Sequence, residues 1–158
     1  MKLCLADRLG IYVDAVFSNV DYHNGTTYLL TSILYTIQIY GDFAGYSLIA
    51  IGAARVMGIR LMENFKRPYF ATSTQDFWRR WHISLSTWMR DYVYIPLGGS
   101  RVKESRHLFN IFATMLVSGL WHGAAWTFVF WGALHGLSPV LQTLWNKYVT
   151  RVHLNGFL

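Results

Sequence analysis

Charge is missing from two long blocks of the chain. Tyr22 to Gly41 contains no Asp, Glu, Lys or Arg, Asp42 interrupts, and Phe43 to Ala54 is uncharged again. Leu108 to Asn146 is a run of 39 residues without a charge. A helix needs roughly 20 apolar residues to cross the hydrocarbon of a bilayer, so both blocks predict membrane spans. Tyr22–Ala54 fits one long tilted helix, or two broken near Gly41-Asp42. Leu108–Asn146 fits two passes joined near Gly119–Gly123, or one pass and a second broken at Gly136–Pro139. Gly41, Gly45 and Gly52 favour close helix packing or a break.

The intervening pattern differs. Residues 1–20 set Leu3, Leu5, Leu9, Val13, Val16 and Phe17 against Lys2, Asp7, Arg8 and Asp14, which fits an interfacial amphipathic helix. Asp21–Thr26 reads as a turn built on Asn24-Gly25. Residues 55–106 hold ten of the fourteen basic residues. There Phe77, Trp78, Trp81, Leu85, Trp88, Met89 and Tyr92 recur at three- and four-residue steps, which predicts one amphipathic helix. Thr72–Asp76 supplies its capping chemistry, and Ile95-Pro96-Leu97-Gly98-Gly99 ends it. The fold class is therefore all-α, a polytopic integral membrane bundle. The positive-inside rule puts the basic 55–107 region on the cytoplasmic side, surface-lying or re-entrant.

Composition sharpens this picture. Only 14% of the 158 residues are charged and 53% are hydrophobic, against roughly 25% charged in an ordinary soluble domain. Aromatics make up 17%, and Trp and Tyr favour the membrane–water boundary. The net charge of +6 sits between hydrophobic blocks, so it reads as topology and lipid-headgroup signal rather than nucleic-acid binding. The same basic residues suit the phosphates of an acyl carrier. The single cysteine, Cys4, cannot form an internal disulfide and reads as apolar filler.

Four titratable residues are candidates for chemistry. His122 lies in the middle of the longer uncharged block, among Ser118, Gly119, Gly123, Ala124 and Ala125. An ionisable group at membrane depth is costly and marks function by default, although a hydrogen bond to a backbone carbonyl also accounts for it. His82 flanks the aromatic stripe and fits an interfacial histidine. His135 follows His122 by thirteen residues, about 220° around one ideal helix, so the two should not share a face. Asp42 fits an ion pair with Arg55 or another basic group, or a polar channel lining. Histidines in a bundle can hold haem or a metal, but no Cys or carboxylate stands at ligand spacing, so no metal is expected. There is no Ser-His-Asp arrangement, Gly-rich phosphate loop or zinc motif.

The motifs at residues 42–47 (DFAGYS), 64–69 (NFKRPY), 76–101 (DFWRRWHISLSTWMRDYVYIPLGGSR) and 118–136 (SGLWHGAAWTFVFWGALHG) resemble the membrane-bound O-acyltransferase family. The likeness covers roughly residues 1–146. It is nearest to the bacterial branch holding the membrane subunit of alginate O-acetylation, with D-alanyl transfer to lipoteichoic acid in a related branch. Leu48 stands where the alginate-like branch would carry an acidic residue. Proteins of this kind are about three times as long, so the resemblance makes this chain part of a catalytic core.

The resemblance implies an enzyme of the bacterial inner membrane, multi-pass. It would move an acyl group, acetyl in exported polysaccharide O-acetylation, from a cytoplasmic-side donor to a hydroxyl. The donor would be a co-substrate such as acetyl-CoA or an acyl carrier, with no bound cofactor. Partners would be the lipid bilayer and a polysaccharide or an extracytoplasmic acetyl-carrying protein. The family's intramembrane histidine falls on His122, the general base toward the hydroxyl, since neutral imidazole suits that task near pH 7. A second falls on His82, which would position the donor or polarise its carbonyl. Trp78, Trp81 and Trp121 would shape a channel that excludes water, with Asp42 as a further lining residue and His135 and Arg79 as accessory ones. The competing expectation is a non-catalytic membrane subunit or transporter with histidine proton relays.

Overall fold

The computed structural model describes residues 2–155, with side chains through 149. These residues are all helix and loop, without a strand. They form two compact units, Met1–Asn64 and Phe65–Leu158.

In the first unit one π-helical turn, Lys2–Ala6, leads into α1 (Asp7–Phe17), which packs on α2 (Gly25–Val56). Of the apolar positions expected to form one face of residues 1–20, Val13 and Val16 are buried, together with Ala6, whereas Leu3, Leu5 and Phe17 are exposed. Cys4 is exposed, so it does not act as buried filler. The Asn24-Gly25 turn is a helix start. Asn24 is the N-cap of α2, and its Oδ1 accepts from the Thr27 amide at 3.0 Å. α2 then runs unbroken through Gly41-Asp42 for 32 residues. Asp42 pairs with Lys2 rather than Arg55.

In the second unit the expected single helix over the aromatic stripe is two. α3 (Thr74–Arg80) and α4 (Ile83–Met89) are separated by Trp81 in an extended conformation and His82 in the left-handed region, φ 44°. A π-helical turn, Arg90–Tyr94, follows α4. Ser73 caps α3 as expected, its Oγ accepting from the Asp76 amide at 3.0 Å. The chain then turns at Gly98 and Gly99, both at positive φ, where side chains are disfavoured.

The 39-residue uncharged block is a helical hairpin, α5 (Glu104–His122) and α6 (Trp126–Asn155). The joint is Gly123–Ala125, near one of the expected break points, and Pro139 sits inside α6 without ending it. Proline frees the carbonyl four residues back. That carbonyl, on His135, accepts from Ser138 Oγ at 3.2 Å.

The two helices meet backbone to backbone. A Cβ on Gly119 would lie 2.4 Å from the Phe128 carbonyl oxygen and 2.9 Å from Gly132 Cα. A Cβ on Gly132 would lie 2.8 Å from the Met115 carbonyl oxygen. Small residues at such crossings let helices associate by close packing.

No helix among the described residues is long and apolar enough to cross a membrane, against the spans expected in 22–54 and 108–146. α2 and α6 have the length, 32 and 30 residues. What they lack is hydropathy, because an uncharged run is not an apolar one. Thr, Ser, Gln, Tyr, Asn and His are spread through both blocks. Many large side chains nevertheless face outward, among them Leu29, Ile33, Ile49, Trp126, Phe130 and Trp145.

The glycine contact yields a direct test. Gly119→Ala and Gly132→Ala should each destabilise the protein by about 1–3 kcal/mol, the usual cost of overpacking. Gly52→Ala in α2, where an added Cβ meets nothing within 4 Å, should be neutral or stabilise by roughly 0.5–1 kcal/mol. Thermal unfolding of the three variants checks the contrast.

Candidate active site

The site begins with the break in the α3–α4 stripe. Trp81 is gripped by aromatic rings: Phe77 stacks on it at 5.5 Å, Phe65 meets it edge-on at 5.1 Å and Tyr69 lies tilted at 6.1 Å. The Arg80 carbonyl accepts from the Lys66 amide at 2.9 Å. Asp76 and Arg80, one turn apart, share a hydrogen-bonded ion pair of 2.8 Å, and that guanidinium holds the Asp76 carboxyl below its usual range. Thr74 ties the start of α3 to α6, its amide and hydroxyl both donating to Gln142 Oε1 at 2.9 and 2.6 Å. With Trp81 pinned, the chain reverses at His82. A non-glycine residue at positive φ is uncommon and tends to mark functional sites.

The second imidazole comes from the hairpin. Gly119 and Gly132 let α5 and α6 approach closely, which puts His122 against Trp131 with ring centroids 5.2 Å apart. His122 also stacks on Phe128 at 6.2 Å. His135 packs on the same indole at 4.4 Å and on Trp78 at 5.3 Å. His122 and His135 therefore flank one ring. The 220° argument holds along one helix, and the chain folds back between the two.

A cavity of about 530 Å³ lies within this unit, and both His82 and His122 line it. Trp78, Trp81 and Trp131 form aromatic wall; Ile83, Leu85, Met89, Ile111 and Met115 form aliphatic wall. Arg79 and Arg90 also line it, without a carboxylate. Arg90 is forked onto Asp91, at 2.7 and 3.2 Å. Tyr94 lines the cavity with its hydroxyl 2.9 Å from His107 Nδ1. Burial raises the Tyr94 pKa, so the phenol keeps its proton.

Burial pushes the His82 pKa down to about 4, helped by the charge His122 would carry. His82 is therefore neutral at pH 7. A neutral imidazole offers one N–H and one lone pair, whereas an imidazolium offers no lone pair.

Of the expected site residues, the structure gathers His82, His122, Trp78, Trp81 and Arg79 around the cavity. Trp121 stands beside both imidazoles, 5.2 Å from His122 and 6.2 Å from His82, but is 58% exposed and not part of the lining. His135 sits behind Trp131 and is not in the lining either. Asp42 belongs to the first unit, in its pair with Lys2. Sequence reasoning missed Trp131, Ser118 and Thr114, though spacing could have found them. Trp131 is one turn before His135, and Thr114 and Ser118 are two turns and one turn before His122. Ser86, Arg90 and Tyr94 fall inside the 76–101 motif, but nothing in its pattern marks them as cavity residues. Among the described residues no three of His, Cys, Asp or Glu cluster as metal ligands do.

The model of the membrane-bound O-acyltransferase family matches residues 2–157. The chain belongs to that family. It is 51% identical over 136 residues to a probable alginate O-acetylase AlgI of Pseudomonas putida, covering 86% of this chain and 28% of that protein. It is 41% identical over 152 residues to a peptidoglycan O-acetyltransferase of Helicobacter pylori, covering 96% and 29%. Similarity to a teichoic acid D-alanyltransferase of Bacillus subtilis is 37% over 121 residues, covering 72% and 30%. The chain thus spans under a third of the length of these curated relatives.

The neutral His82 gives a pH prediction. Its folded pKa, about 4, lies below the unfolded value of 6.5. Between those values the unfolded chain binds the proton and the folded one does not, so stability falls as pH drops from about 6.5 toward 4. Urea unfolding across that window should show the decline, and His82→Asn, which also tolerates the left-handed backbone, should flatten it.

Proposed function

We propose that this chain is the catalytic part of a membrane O-acyltransferase that moves an acyl group, acetyl in this reading, from a thioester donor to a hydroxyl acceptor. The observation that carries this reading is the meeting of His82 and His122 in one largely apolar cavity. An alcohol attacks a carbonyl poorly until a base takes its proton. His122 takes the acceptor proton, and the oxygen attacks the acyl carbon. His82, neutral at pH 7, directs its N–H at the carbonyl oxygen, where negative charge develops. The carbon–sulfur bond then breaks, and the proton on His122 passes to the departing sulfur. The Trp78, Trp81 and Trp131 rings keep water from the thioester.

The donor would be acetyl-CoA or an acyl carrier on the cytoplasmic side, and the guanidinium group of Arg79 suits its phosphates. The acceptor would belong to exported polysaccharide O-acetylation, directly or through an acetyl-carrying partner protein outside the cytoplasm. The relatives named for alginate and peptidoglycan O-acetylation support this choice. The setting would be the bacterial inner membrane, with α2, α5 and α6 at membrane depth among further helices of a longer protein. The outward-facing Leu, Ile, Phe and Trp side chains support that placement. No separate observation favours a transporter with a histidine relay.

In the full-length protein, His122→Ala should cut acyl transfer about 10²–10⁴-fold, the usual worth of a general base, at normal membrane abundance. Unchanged polymer acylation at that abundance would remove the enzyme reading. His82→Gln keeps an N–H donor, so donor turnover should fall less than in His122→Ala. Wild-type turnover in that variant would reduce His82 to a structural role.

A further inference from the structure

While His122 holds the acceptor proton it is an imidazolium, and a charge in a largely apolar wall costs free energy unless a group of opposite sign faces it. In Ser-His-Asp sites a buried carboxylate faces the imidazolium. The second unit has three acidic side chains, and each is paired with a cation: Asp76 with Arg80, Asp91 with Arg90 and Glu104 with Lys147. Among the described residues none of the three lines the cavity. The other charged or titratable groups that do line it are Arg79, His82, Arg90 and Tyr94, and none of them carries negative charge at pH 7.

Aromatic rings surround the imidazole instead. Phe128 lies along one of its faces, 24° from parallel with its centroid 6.2 Å away. Trp121 and Trp131 stand near-perpendicular to it, at 77° and 74°, each 5.2 Å away. The imidazole has one face left, with room for one ring, so at least one of the two indoles meets its edge. The edge of one aromatic ring against the face of another is a favoured pairing, and that face carries negative potential. Trp121 is 58% exposed, where water screens the potential. Trp131 is half-buried in the cavity wall, with His135 at 4.4 Å and Trp78 at 5.9 Å against it. A cation–π contact is stronger when it is desolvated.

Resting on the acyl-transfer reading of this cavity, we propose that Trp131 is a positioning residue that presents its indole face to the edge of the His122 ring and stabilises the imidazolium by cation–π attraction. Trp131 takes the place that a carboxylate holds in Ser-His-Asp sites. No bond to Trp131 forms or breaks. The proton passes from the acceptor hydroxyl to His122 and on to the departing sulfur, and the indole lowers the barrier where positive charge develops on the imidazole.

The test uses the full-length protein in membrane vesicles supplied with labelled acetyl-CoA, and reads transfer to the polymer those membranes carry. Fluorine draws charge from a ring face with little change of ring size. Mono-, di- and trifluorotryptophan placed at position 131 should therefore lower the maximal rate stepwise, by about three- to tenfold in all, with KM for acetyl-CoA within about twofold. Trp131→Leu should lose about ten- to thirtyfold, the worth of a desolvated cation–π contact, and Trp131→Phe, which keeps a ring face, should recover most of that loss. The same fluorinated series at Trp145, exposed on α6 and outside the cavity lining, should be flat. A flat series at 131, or an equal fall at 145, overturns the inference while acyl transfer stands. Equal transfer by wild type and His122→Ala at matched abundance overturns the acyl-transfer reading and this inference with it.

Discussion

The contact of α5 with α6 at Gly119 and Gly132 is the constraint on which the site depends. With no side chain between them, the two backbones come within van der Waals distance. That closeness sets His122, three residues past Gly119, against Trp131, one residue before Gly132. It also brings His135 within 4.4 Å of that indole and Trp78 of α3 into the same cluster. An apolar interior transmits small displacements because it is packed without slack. A helix pair held even slightly further apart would lose the contact of His122 with its wall.

A second constraint works from the opposite wall. Three aromatic rings around Trp81 and the Lys66–Arg80 backbone bond end α3 where the periodicity would continue it. His82 absorbs the change of direction in a conformation that costs about 1–2 kcal/mol for a residue with a Cβ. The surrounding packing overcomes that cost, and the imidazole enters the cavity from a kink instead of lying along a helix face. The two histidines thus arrive by different routes, one on a regular helix and one at its interruption. The cavity between them carries guanidinium and hydroxyl groups on a mostly apolar background.

Helix content, the Ser73 cap and the stop at Gly98-Gly99 were legible because each rests on local chemistry, whereas Asn24-Gly25, read as a turn, is the start of α2. The choice of His82 and His122 came from motif likeness, since periodicity alone assigned His82 to an interface. The single stripe from Phe77 to Tyr92 misled because a three- and four-residue repeat records which side chains are apolar, not where a ring clamp will break the helix. Counting charges overstated hydropathy in both uncharged blocks, where hydroxyls, amides and imidazoles replace them.

By itself, then, the sequence determined an all-helical chain, its capping points, its family and the two imidazoles proposed to carry the chemistry. These follow from residue type and near-neighbour spacing. Only the tertiary structure decided that α5 and α6 fold back on each other, that His122 and His135 share one indole, and that His82 sits at a break between two helices. Those outcomes depend on which distant backbones and rings touch, and that is not written in the spacing of residues along the chain.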